Sequence, residues 1–233
     1  MRRATGLAVA VGVLVLVCVL SIAIVRVPIA VGTVWDALVH YAGTEDQSIV
    51  RELRVPRTVL GILTGLAFAL SGAVIQAVTR NPLADTQILG VNSGAALFMV
   101  FAVGFLGRTE VGEYIWFGFG GVAVALVLVY VLGSAGRGGA TPIRLTLAGV
   151  ALGAVLDGIS TGIRLVRPRA FDYLRFWDVG SLAGRPLEVA GTILPFVLAG
   201  TVLALVVARS LNAVALGDDL ARTLGARLSL IHI

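Results

Sequence analysis

Ser71-Gly72-Ala73-Val74-Ile75-Gln76-Ala77-Val78-Thr79-Arg80-Asn81-Pro82-Leu83-Ala84-Asp85-Thr86-Gln87-Ile88-Leu89-Gly90-Val91-Asn92-Ser93-Gly94-Ala95 decides how the chain folds. A glycine-rich apolar helix runs into this stretch. It stops at Arg80-Asn81-Pro82, because the residue before a proline is pushed out of helical geometry. A polar turn follows. A second apolar helix then opens on small residues, with Asn92 or Ser93 as its natural N-cap. Two apolar helices joined by a short polar turn, repeated along the chain, describe an all-α polytopic membrane bundle.

Composition agrees. Of 233 residues, 58% are hydrophobic and 13% charged. The mean hydropathy is +0.99, well above that of a soluble domain. The charges fall in short clusters between long apolar runs, as in helical membrane proteins. The alternating ~10-residue strands of a membrane barrel are not seen. All 18 basic residues are arginine. They are spread over many loops, which does not describe a nucleic-acid-binding face. Without lysine these residues hold no Gly-x-x-x-x-Gly-Lys phosphate loop. Any ATP used must therefore be bound by another chain. The single cysteine, Cys18, lies inside an apolar run and reads as a packing residue. No set of residues suggests a bound metal or cofactor.

Outward from the opening stretch, six spans are expected, at about 7–25, 58–78, 92–106, 114–132, 143–166 and 187–208. The first is too long for a cleaved signal core. Trp35 and Tyr41 mark an interfacial segment, and the basic cluster Arg51-Glu52-Leu53-Arg54-Val55-Pro56-Arg57 precedes the second span. Gly61-x-x-x-Gly65 in that span is a close-packing signature. Gly133 to Thr141 is a glycine-rich loop, and Pro142 suits the first turn of the fifth span. In that span Gly149, Gly153, Gly158 and Gly162 recur at four or five residues. Asp157 lies slightly past the middle, and Arg164 follows seven residues later on nearly the same face. An intramembrane charge costs at least ~2.5–3.5 kcal/mol and marks a functional position by default. After the sixth span, Leu216, Leu220 and Leu224 share one face of a short amphipathic helix. Asp218 and Asp219 open it, Asp218 and Arg222 are spaced to pair, and Gly225 caps it.

These residues resemble the permease subunits of iron–siderophore and vitamin B12 ABC importers, the type II or FecCD/BtuC-like family. The likeness is carried by Arg54-Val55-Pro56-Arg57, and by Gln76 through Asn81-Pro82-Leu83-Ala84 to Leu89-Gly90-Val91-Asn92-Ser93-Gly94-Ala95. It continues in Leu147-Ala148-Gly149-Val150-Ala151-Leu152-Gly153, in Trp177 with Gly180-Ser181-Leu182, and in Leu216-Gly217-Asp218-Asp219-Leu220-Ala221-Arg222-Thr223-Leu224-Gly225. Thr86 departs from a usual proline, Pro186 from a position often aromatic, and Asp157 is unusual for the family's pathway helix.

The resemblance implies a multi-pass permease of the cell membrane that carries ferric siderophore by alternating access. Cobalamin and haem are alternative cargoes. It implies a second permease subunit, identical or not, two ATPase subunits that hydrolyse ATP, and an extracytoplasmic substrate-binding protein. Gln76, Asn81, Pro82, Gly90 and Gly94 would form the cytoplasmic signature turn. Thr141 and Pro142 would belong to the gate, and Gly149, Gly153, Asp157 and Arg164 to the pathway. Arg51, Arg54 and Arg57 would dock the binding protein. Leu216, Gly217, Asp218, Asp219, Leu220, Arg222, Leu224 and Gly225 would couple to the ATPase. The family topology places eight arginines inside and ten outside, which the positive-inside rule does not favour; docking arginines would supply the reason. The family has ten spans, so residues 1–227 read as an incomplete permease domain and 228–233 as a non-native tail. The alternative from another class is a proton-coupled transporter with Asp157 as carrier. A membrane enzyme is disfavoured, because the spans hold no His-x-x-x-His, paired acids or Ser/His set.

Overall fold

The computed structural model describes residues 2–24, 29–135, 141–168, 170–172, 175 and 179–215. Eight α-helices are named here: α1 (Arg2–Ala23), α2 (Val31–Val39), α3 (Glu45–Ile49), α4 (Val55–Thr79), α5 (Val91–Leu106), α6 (Val111–Ser134), α7 (Pro142–Val166) and α8 (Leu187–Ala215). Five segments are long and apolar enough to cross a membrane: Ala4–Ala23, Glu45–Thr79, Val111–Ser134, Ile143–Val166 and Leu187–Ala208. Helix α5 is apolar but has only 16 residues, about 24 Å at ~1.5 Å per residue, against a hydrocarbon core of ~30 Å. It was expected as the third of the six spans. Gly107, with φ 66°, ends it in the left-handed conformation that glycine adopts freely.

The chain forms two compact units, Met1–Leu66 with Leu182–Pro195, and Ala67–Ser181 with Phe196–Ile233. In the first, Ile29, Ala37 and Val50 are buried, with Ile22, Val34, Ile49 and Val55 packed around them. The arginine cluster expected to precede a span is itself helical. Helix α3 passes through a π-turn (Val50–Arg54) directly into α4. Pro56 explains the widening. A proline in a helix has no N–H and crowds the carbonyl four residues back. The π-turn shifts the register, so that Val55 N–H donates to Val50 O.

In the second unit, α5, α6 and α7 pack on one another. Lipid offers no hydrophobic drive for helix association, so small residues that let backbones touch carry it. A methyl built on Gly94 would lie 2.5 Å from both Gly121 O and Ala125 Cβ. Further along, Val100, Val103 and Ala170 are buried with Tyr114 and Ile163 against them. Trp116, Phe119 and Phe196 form an aromatic cluster with centroids 5.0–6.3 Å apart.

The crossing of α5 and α6 gives a direct test. Gly94→Leu should cost well over ~3 kcal/mol, beyond ordinary overpacking, because backbone must move. Gly12→Leu, where nothing lies within 4 Å of a built methyl, should change little. Thermal unfolding in detergent of the two variants checks the difference.

Candidate functional site

The turn after α4 is built by four local devices. Arg80, with φ 52°, is the one non-glycine residue at positive φ among the described residues. It ends α4 in a Schellman arrangement: Arg80 N–H donates to Ala77 O at 3.4 Å and Asn81 N–H to Gln76 O at 3.2 Å. Asn81 Oδ1 then accepts from Leu83 N at 2.9 Å, and Asn81 O accepts from Ala84 N at 3.1 Å. Asp85 caps a short 3-10 turn (Thr86–Leu89) by accepting from Gln87 N at 2.8 Å. Gly90 closes the turn and opens α5. It lies at φ 65°, donates to Gln87 O and accepts from Gly94 N, both at 3.0 Å. The N-cap of α5 is therefore Gly90, not Asn92 or Ser93. The 3-10 turn runs into the helix without a break, and only a left-handed residue makes that join.

Gly90 meets α7. A methyl built on it would lie 3.0 Å from Gly149 O, 3.6 Å from Gly153 N and 3.7 Å from Gly153 Cα. A methyl on Gly153 would lie 3.4 Å from Ser93 Oγ. The turn and α7 thus touch backbone to backbone, and three of the expected site glycines are brought together. Gly94 serves elsewhere, in the crossing with α6. Thr141 caps α7 by accepting from Arg144 N at 3.4 Å, and Pro142 occupies the helix's first turn. Between the turn and the start of α7 lies a cavity of about 360 Å³. Thr79, Asn81 and Asp85 line it from one side, and Ile143, Thr146 and Leu147 from the other. The side chains of Gln76, Asn81 and Pro82 are exposed.

The buried face of α7 holds Gly149, Gly153 and Ser160. Ser160 Oγ returns to its own helix, donating to Leu156 O at 2.8 Å. Gly149 and Gly153, expected in a pathway wall, are occupied by contacts with the turn. Asp157 is exposed and Arg164 is half-buried.

The three expected docking arginines differ. Arg51 is exposed, with its guanidinium 4.7 Å above the Tyr41 ring. Arg57 is half-buried. Arg54 is 5% exposed and donates through one terminal nitrogen to Ile22 O at 2.7 Å and Ala23 O at 3.0 Å. Those carbonyls belong to the last turn of α1, where no intrahelical donor is available. A cation there also meets the negative end of the helix dipole. Arg54 is thus held inside the fold. Leu216, Gly217, Asp218, Asp219, Leu220, Arg222, Leu224 and Gly225 lie outside the described residues, as do 228–233.

The model of the FecCD transport family matches residues 13–233. The chain belongs to the FecCD transport family. It is 40% identical over 216 residues to the ferric enterobactin transport system permease protein FepD of Escherichia coli (strain K12). That match covers 93% of this chain and 65% of FepD. It is 38% identical over 216 residues to the iron(3+)-hydroxamate import system permease protein FhuB of Bacillus subtilis (strain 168), covering 92% and 56%. A solved structure described as an inward-facing conformation of a metal-chelate type ABC transporter superposes with a TM-score of 0.74. It is 25% identical, and the match covers 99% of this chain and 70% of that one. The chain therefore spans less than two thirds of the length of the two permeases it matches. With its apolar helices, this FecCD chain is a multi-pass protein of the cell membrane.

Two features of this FecCD chain escaped the sequence. Arg80 at positive φ was signalled only indirectly, by a helix that must stop two residues before Pro82. The burial of Arg54 had no local signal, because its partners lie 31 and 32 residues earlier. Removing its head should expose the difference between the arginines. Arg54→Ala should destabilise the protein by about 2–3 kcal/mol, since two hydrogen bonds from a charged donor are lost and Ala23 O keeps only the long 3.5 Å bond from Ile29 N. Arg51→Ala should cost under ~1 kcal/mol, the worth of an exposed cation–π contact. Thermal unfolding in detergent distinguishes them.

Proposed function

We propose that the whole protein is the permease of an ATP-driven importer that carries a ferric siderophore inward across the membrane. The observation that carries this is the family match along nearly the whole chain, with relatives whose own names are those of ferric-siderophore permeases. Two permease subunits would enclose a path. Separate ATPase subunits would bind the nucleotide, since these residues contain no lysine for a phosphate loop. The segment 216–225 would transmit their movement. The Gly90 contact supports a route for it. A turn in backbone contact with α7 cannot move without moving α7, because nothing compressible lies between them. Thr141 and Pro142, at the start of α7, would then open or close the inner mouth.

Outside, a binding protein would dock against exposed charge. Arg51 and Arg57 fit that role better than Arg54, whose guanidinium is engaged with α1. Opposite charges on the partner would steer the encounter more than they tighten it.

The test is energetic. Uptake of iron-55-labelled siderophore should disappear when the partner ATPase loses its phosphate-loop lysine, and should persist when the proton gradient alone is collapsed. Uptake that survives ATP depletion but stops with the proton gradient would instead identify a proton-coupled carrier.

A further inference from the structure

The chain passes between its two compact units at three places: 66–67, 181–182 and 195–196. Each crossing falls at a residue that loosens the backbone. In α4 the last residue of the first unit is Leu66, directly after Gly65. Glycine inside a helix keeps conformations that other residues give up. A methyl built on Gly65 would meet nothing within 4 Å, so close packing does not account for it. The middle crossing lies between Gly180 and Gly184, both at φ 69°. They too have open space where a methyl would go, and it is the left-handed backbone that calls for glycine there. In α8 the crossing comes at Pro195, a proline inside the helix. It has no N–H to give Gly191 O, so the helix lacks a bond just where the unit changes. Few described side chains of α4 or α8 are buried, so bending these helices disturbs little packing. The bodies on either side are firmer. The first is closed by its Ile29, Ala37 and Val50 core and by the bonds from Arg54 to α1. The second is closed by backbone contacts at Gly90 and Gly94.

We propose that Gly65, the Gly180–Gly184 turn and Pro195 are the three joints of one hinge, on which the first unit swings against the second during import. The proposal rests on the import function above and names its moving parts. Hinges are a few residues that absorb a change of φ and ψ while the bodies they join stay intact. Glycine and proline are the positions where helices bend. Gly65 lies ten residues, ~15 Å, along α4 from Val55, and a bend of ~20° there carries the first unit by about 5 Å. The swing displaces Arg51 and Arg57, in the first unit, relative to the turn and α7 in the second.

Two spin labels on the protein in its own membrane, with its partner subunits, test this. They are attached at Asp46→Cys in the first unit and Glu110→Cys in the second, both exposed positions, with Cys18→Ser. The distances between them should spread over about 5 Å, and Gly65→Ala combined with Pro195→Ala should cut that spread to about half. Alanine is the better helix former at both positions, so this pair stiffens the joints without unfolding the helices. Gly61→Ala with Gly72→Ala is the control. Both lie in α4 away from the crossing, with the same open space, and should leave the spread as it was. An unchanged spread in the Gly65 and Pro195 variant, or an equal narrowing in the control, overturns the hinge. Uptake of iron-55 as ferric enterobactin and as a ferric tris-hydroxamate is measured in the same membranes. It should fall in the stiffened variant and not in the control; full uptake in the stiffened variant overturns the hinge's part in import. If the unsubstituted protein takes up neither chelate, the import function fails, while the label distances still decide whether the units swing.

Discussion

The backbone of Gly90 rests on the backbones of Gly149 and Gly153, with no side chain between them. Much of the second unit depends on that approach. It fixes where the turn after α4 lies, and therefore where α5 starts and at what depth it meets α6 and α7. Inside a membrane, helices gain little by hiding apolar surface from lipid. Contacts must come from close fit, and glycine is the residue that gives the closest fit. The same device recurs where Gly94 crosses Gly121. At Gly90 two demands coincide. A methyl would sit only 3.0 Å from Gly149 O, so the backbone of α7 would have to give way, and the left-handed φ of 65° suits only glycine well.

The first unit is held differently. There the backbone carbonyls at the end of α1 are satisfied by the guanidinium of Arg54, which reaches them from the π-turn. Ser21 and Thr58 add a hydroxyl pair at 2.9 Å between the same helices. One unit thus relies on the absence of side chains and the other on a long, charged one. The latter follows a rule of its own: in and near a membrane, polar backbone must find partners within the protein.

The helical class was legible in the sequence because apolar runs of about twenty residues admit few other structures in lipid. The helix break at Pro82 was equally plain, since proline acts on its immediate neighbours. The start of α5 was misplaced by two or three residues. Asn92 and Ser93 are good caps by type, but Gly90 wins because the 3-10 turn leads straight into the helix. The continuity from α3 to α4 was hidden as well: Pro56 and a cluster of charges suggest a loop, and only the π-turn reconciles them with a helix. Within the candidate site, the glycines of α7 were noticed by their spacing. Spacing does not say which face they take. Gly149 and Gly153 turn toward the Gly90 turn, whereas Gly158 and Gly162 turn away. Pairings between residues some sixty positions apart depend on how helices cross, and no local pattern records that.

The contact between the turn and α7 can be measured directly. Ser93→Cys and Gly153→Cys, combined with Cys18→Ser, place two sulfurs where a β-carbon at position 153 lies 3.4 Å from the atom at Ser93 Oγ. That is near the reach of a disulfide. Mild oxidation of the intact protein in membranes should link the pair, and proteolysis between α5 and α7 should then leave the fragments joined until reductant is added. If both cysteines are present and reactive toward a thiol reagent but no link forms, the turn does not rest on α7, and the structural basis proposed for coupling is wrong.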